Sequence, residues 1–141
     1  MIQNNSIQNG PLGEADLKQW DEDGYALSKG LFDAASVEAI RDYFDAIVEK
    51  GERIPGHWHP DPTSDDPVKR CPRVMHPHRF DAFCLGMMIK PEVGLALEQL
   101  LRQPAVGCQV MYFYKPPGSP GQALHQDNFY LAVKPGTCIA A

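Results

Sequence analysis

The chain has 141 residues, 43% of them apolar, with a formal net charge of -5 and a pI near 5.4. That is one domain's worth of chain or part of one, and an acidic balance with scattered Lys and Arg excludes a general nucleic-acid or anionic-membrane partner. No stretch approaches the roughly 18 continuous apolar residues of a membrane span, and the Gln/Asn-rich start lacks an apolar signal-peptide core. Cys71, Cys84, Cys108 and Cys138 lie far apart with no C-x-x-C pair, which predicts reduced, mostly buried thiols and a cytoplasmic location.

Residues 1–13 read as a mobile tail and 14–141 as a single domain without an internal repeat. Glu14 to Glu22 reads as a short helix carrying Trp20, followed by an extended segment at Gly24–Ser28. Asp33 is placed to cap a helix running to about Lys50, with Val37, Ile40, Phe44, Ile47 and Val48 on one face and Gly51 as its stop. Residues 51–79 form a polar, proline-rich loop or lid that carries four of the five histidines. Phe80 to Ile89 has helical character. Pro91 fits the first turn of a helix to about Gln103, where Val93, Leu97, Leu100 and Leu101 make an apolar stripe. The alternation of Val106, Cys108, Val110 and Tyr112 predicts a strand to Tyr114, with further strands near 124–133 and 137–141.

The chemistry-bearing residues gather at the second of these strands. His125-Gln126-Asp127 follows a turn-rich Pro/Gly loop and precedes the apolar run Phe129 to Val133. On an extended strand residues i and i+2 project from the same face, so His125 and Asp127 can offer a nitrogen and an oxygen to one metal ion. With a remote histidine they would make a two-histidine-one-carboxylate triad, which holds Fe(II) and leaves positions open for oxygen chemistry. The tripeptide alone proves little, since 5 histidines and 18 acidic residues produce such spacings by chance. His59-Pro60-Asp61 is one, but its prolines block a regular strand. His57, His59, His76 and His78 form two H-x-H pairs that suit Zn, Cu or Ni, although histidines in a proline-spaced loop are more often exposed than ligating.

Three segments carry a family resemblance: Gln109-Val110-Met111-Tyr112-Phe113-Tyr114-Lys115-Pro116-Pro117-Gly118, Gln122-Ala123-Leu124-His125-Gln126-Asp127-Asn128-Phe129-Tyr130, and Lys134-Pro135-Gly136-Thr137-Cys138-Ile139-Ala140-Ala141. Together with Trp20-Asp21-Glu22-Asp23-Gly24-Tyr25, they resemble the phytanoyl-CoA dioxygenase family. The resemblance implies an α+β fold, a double-stranded β-helix (jelly roll) flanked by N-terminal helices, acting on a small-molecule substrate. It further implies Fe(II), 2-oxoglutarate and O2, with His125 and Asp127 as iron ligands and an unactivated C–H bond hydroxylated. Halogenating relatives replace the carboxylate with a small residue, so Asp127 favours hydroxylation. Arg73 sits where such proteins carry a basic residue reaching the cosubstrate, and a guanidinium suits a carboxylate; its alternative is a surface charge. Gln109 shares a face with Met111 by alternation and could hydrogen-bond cosubstrate or substrate, or else lie on a rim.

The chain also departs from the family's pattern. No histidine follows His125 and no arginine follows Arg102, whereas the resemblance places a second iron histidine and a 2-oxoglutarate arginine downstream. About four strands are legible where a jelly roll needs about eight. The expectation is therefore the N-terminal part of a longer domain, with the catalytic site incomplete. A catalytically silent jelly-roll binding domain and a non-redox metal-binding protein built on the histidine loop are the competing readings. Oligomeric state is left open.

Overall fold

The computed structural model describes residues 10–50, 61–70, 73–115, 117–119 and 121–141. In chain order its elements are α1 (Glu14–Asp23), α2 (Ala34–Lys50), α3 (Pro67–Arg70), β1 (Arg73–Met75), a 3-10 turn (Pro77–Arg79), α4 (Ala82–Met88), α5 (Pro91–Leu101), β2 (Met111–Phe113) and α6 (Asp127–Leu131). They fall into two compact units interleaved along the chain. The first gathers Met1–Leu27, Pro91–Val106 and Pro120–Ala141, and the second Ser28–Lys90 and Gly107–Ser119.

In the first unit α1 begins at an extended Gly13, whose N–H bonds to Asp16 Oδ2 at 2.9 Å. It ends at Gly24, where a φ of 78° makes the left-handed cap that favours glycine. Leu12 lies within the segment expected as a mobile tail, yet it is buried and both its main-chain groups bond to Gln99 of α5. Residues 1–9 of that tail lie outside the described residues. Arg102 grips Asp21 of α1 through both carboxylate oxygens, at 2.6 and 2.7 Å.

The second unit is built around Phe44, Val74 and Cys84, with Ile40, Tyr43, Ile47, Met87, Tyr112 and Tyr114 packed against them. The stripe expected on α2 delivers Phe44, whose ring stacks on Tyr112 at 3.8 Å between centroids, and the Tyr114 hydroxyl donates to the Phe44 carbonyl. Asp33 caps α2 by accepting from Ser36 N–H at 2.7 Å, and Asp81 caps α4 by accepting from Cys84 N–H at 2.9 Å. Strands β1 and β2 pair antiparallel with Arg73 opposite Phe113, Val74 opposite Tyr112 and Met75 opposite Met111. His76 N–H extends the ladder to Val110 O at 2.8 Å.

Several expectations are corrected. Within 51–79, α3, β1 and the 3-10 turn are ordered elements, and Val74 is fully buried; this strand exists because a distant partner satisfies its backbone, which local polarity does not reveal. Residues 51–60 and 71–72, with His57 and His59, lie outside the described residues. The strand expected over 106–114 contracts to 111–113, and no strand forms among 124–133 or 137–141. With two strands in the sheet among the described residues, Phe129 to Leu131 have no ladder partner. Their backbone closes locally instead, through Phe129 N–H to Gln126 O at 3.0 Å and Ala132 N–H to Asn128 O at 2.9 Å. The architecture is thus mixed helix with a small antiparallel sheet. Phe129 and Tyr130 are exposed rather than core, and of the thiols Cys84 is buried, Cys138 half-buried and Cys108 exposed, none of the three in a disulfide. No helix among the described residues is long and apolar enough to cross a membrane.

Candidate metal centre

His125 and Asp127 do meet, though on a helix start rather than a strand. Gln126 is the N-cap of α6 with extended backbone, φ -109° and ψ 117°, and one extended residue suffices to turn its two neighbours to the same side. His125 Nε2 lies 3.1 Å from Asp127 Oδ1, with both side chains about one-third exposed at 36% and 38%. The other ring nitrogen, Nδ1, is 2.7 Å from Ala123 O. A carbonyl can only accept, so Nδ1 donates its N–H and Nε2 is the ring nitrogen turned to Asp127. An imidazole nitrogen and a carboxylate oxygen are two donors of the kind that divalent metal ions accept. Tyr130 stands edge-on to the imidazole with centroids 6.1 Å apart. Among the described residues no third His, Cys, Asp or Glu completes a set with this pair.

Arg73 and Gln109 belong to the second unit. Val74 and Tyr112 turn inward to Phe44, so their strand neighbours Arg73, Met75, Met111 and Phe113 occupy the opposite face of the two-stranded sheet. Gln109 lies two residues before β2, outside the paired strand. Arg73 is exposed, with its guanidinium carbon 5.6 Å from the Phe113 ring centroid, and it has no carboxylate partner among the described residues. Gln109 is half-buried.

Of the four loop histidines the described residues include His76 and His78. Their rings stand 5.9 Å apart and nearly perpendicular, and each Nδ1 is sealed from solvent without a hydrogen-bond partner. Burial lowers the His78 imidazole below its ordinary value, with His76 and Arg79 adding to the effect.

Sequence reasoning missed two features. The Ala123 carbonyl that orients His125 is a backbone atom and leaves no sequence signal. A polar cluster of half-buried Tyr43 and Asp81 with buried Cys84 was also missed. Burial pushes the Cys84 thiol up to about 11 and raises the Tyr43 hydroxyl further above its ordinary value. Burial would raise the Asp81 carboxyl too, yet the Cys84 N–H and the Tyr43 hydroxyl hold it below the usual range. Only the Asp81-x-x-Cys84 capping spacing hinted at this cluster.

The structure thus brings a histidine and a carboxylate side by side at the start of a short helix, in a mixed α+β chain. The sequence profile of the phytanoyl-CoA dioxygenase family matches residues 20–141, and the chain belongs to that family. Its members are generally oxygenases that use Fe(II) and 2-oxoglutarate with O2. No curated protein and no solved structure matches the chain.

Proposed function

We propose that the protein is an Fe(II)- and 2-oxoglutarate-dependent dioxygenase that hydroxylates an unactivated C–H bond of a small molecule, on a jelly-roll domain working in the cytoplasm. The observation that carries this reading is the His125–Asp127 pair, 3.1 Å apart with the outer imidazole nitrogen committed to Ala123 O. These two side chains would hold the iron, which when bound supplies the activation of O2. Asp127 offsets part of the ion's charge, and the Ala123 carbonyl keeps the Nε2 lone pair available by fixing the tautomer. A carboxylate at 127 leaves no vacant halide position, which favours hydroxylation.

Arg73 and Gln109 are proposed as cosubstrate contacts. Arg73 occupies the face of the two-stranded sheet turned away from Phe44, and a guanidinium without a carboxylate partner among the described residues suits two-point recognition of a carboxylate. Gln109 would add a neutral hydrogen bond to 2-oxoglutarate or substrate. The chain's part is to position groups and exclude water, while the hard chemistry belongs to the cofactor.

The test is iron stoichiometry and 2-oxoglutarate consumption on the complete gene product. Loaded under argon, it should bind one equivalent of Fe(II) and form succinate once air is admitted. His125→Ala and Asp127→Ala should each remove most of both. Stoichiometric iron in His125→Ala would sink the assignment, and iron binding without 2-oxoglutarate consumption in the unaltered protein would favour a silent binding domain.

A further inference from the structure

His76 and His78 take no part in the reading above, and the structure gives them an unexplained feature. His76 adopts a left-handed backbone with φ 53°, which non-glycine residues rarely hold without support. Its N–H is pinned to Val110 O at 2.8 Å, and Pro77 between the two histidines is fully buried. A three-residue turn locked at both its strand end and its proline therefore presents two imidazoles in fixed relation. This is the rigidity that loop histidines usually lack.

Each ring has its Nδ1 shut away from solvent and unpartnered. A buried polar atom left unsatisfied costs about 1–3 kcal/mol, and two from one turn call for a missing partner such as a water or an ion. Paired neutral imidazole nitrogens are poor ligands for Mg or Ca and good ones for Zn, Ni and Cu. An ion about 2.0–2.1 Å from each ligating nitrogen sits about 3 Å from each ring centre, so a tetrahedral angle puts the centroids of two rings sharing one ion about 5 Å apart. The observed 5.9 Å is wider than that, so the rings would have to close on the ion. Both residues are half-buried rather than enclosed.

We propose that His76 and His78 form a second metal site, selective for a borderline divalent ion such as Zn(II) and chemically distinct from the His125–Asp127 pair. No third protein ligand is present among the described residues, so water would complete the ion's coordination. Binding ties the end of β1 to the 3-10 turn and stabilises the second unit rather than serving oxygen chemistry.

The experiment uses the complete protein carrying His125→Ala and Asp127→Ala, stripped with chelator and titrated with Zn(II) against a chromophoric competitor. One equivalent should still bind and raise Tm. Adding His76→Gln and His78→Gln should weaken that binding at least tenfold and abolish the Tm shift, whereas adding His57→Gln and His59→Gln should leave both unchanged. Absence of Zn(II) binding in the His125→Ala/Asp127→Ala protein overturns the proposal without requiring any change at His76 or His78. Loss of binding with the His57/His59 changes, or its retention after the His76/His78 changes, overturns it equally.

Discussion

The Gln99 carboxamide and the Leu12 peptide complete each other's hydrogen bonding: Oε1 accepts from Leu12 N–H at 2.9 Å, and Nε2 donates to Leu12 O at 3.0 Å. Gln99 is 3% exposed, so neither bond can be replaced by bulk water without opening the unit. A Cβ added at Gly10 would lie 2.1 Å from Gln99 Oε1 and 2.3 Å from its Cδ. Gly10→Ala must therefore push the carboxamide out of its pairing.

Gln99→Ala is expected to cost about 2 kcal/mol by leaving a buried N–H and C=O unpaired, and Gly10→Ala about as much. The two costs should not add. With the carboxamide already gone, Gly10→Ala has nothing to displace, and a double-mutant cycle in urea should give a coupling of about 1–2 kcal/mol. Additive costs would show that the pair is not the unit holding Leu12.

The same pair marks what a sequence can and cannot reveal. Helix α5 was legible from Pro91 and the stripe through Leu97 and Leu101, and α2 from Asp33 and the run ending in Ile47 and Val48, because caps and periodicity are local. That Gln99 would be buried in α5 beside Ala96 was not legible, since its partner lies 87 positions away. Strand β1 escaped for the same reason, its pairing being with β2. The His125–Asp127 pair was legible for a partly mistaken reason: extended geometry is required only at Gln126, and a helix start supplies it.

Cys84 predicts an alkaline weakness. Burial lifts its thiol from 9.0 to about 11 in the folded state, so the folded chain holds that proton more tightly than the unfolded chain does. The resulting stabilisation is present in full below pH 9 and is lost as pH rises from 9 to 11, by about 2–3 kcal/mol. Tyr43, raised by burial, adds loss in the same direction at higher pH. Urea midpoints measured from pH 8 to 11 should fall accordingly. Cys84→Ala should be about 1–2 kcal/mol less stable at pH 8 but show a shallower alkaline decline; an unchanged decline would remove Cys84 as its source.

Arg73 separates binding from folding. Its contact with Phe113 is an exposed cation–π pair worth about 0.5–1 kcal/mol, so Arg73→Ala should barely move Tm. If the guanidinium holds the cosubstrate carboxylate, the KM for 2-oxoglutarate should rise about 10- to 100-fold with kcat little changed. Arg73→Lys should recover part of that loss, since it keeps the charge without the fork. A KM within twofold of the unaltered protein for Arg73→Ala would return this residue to the surface-charge reading.

Leu124, Phe129 and Tyr130 are almost bare, with Phe129 82% and Tyr130 70% exposed. Three large apolar side chains within seven positions form the kind of exposed patch that drives association, and α6 is held by few bonds beyond its own turn. The 141-residue chain is therefore expected to self-associate as its concentration rises from micromolar to hundreds of micromolar, with oligomers visible by light scattering. Leu124→Lys with Phe129→Lys should return it toward a monomer while leaving Cys84 as slow to react with a thiol reagent as before, because that residue sits in the other packed unit. Persistent association of the double variant would place the sticky surface elsewhere, among exposed residues such as Phe80, Phe83 and Ile89.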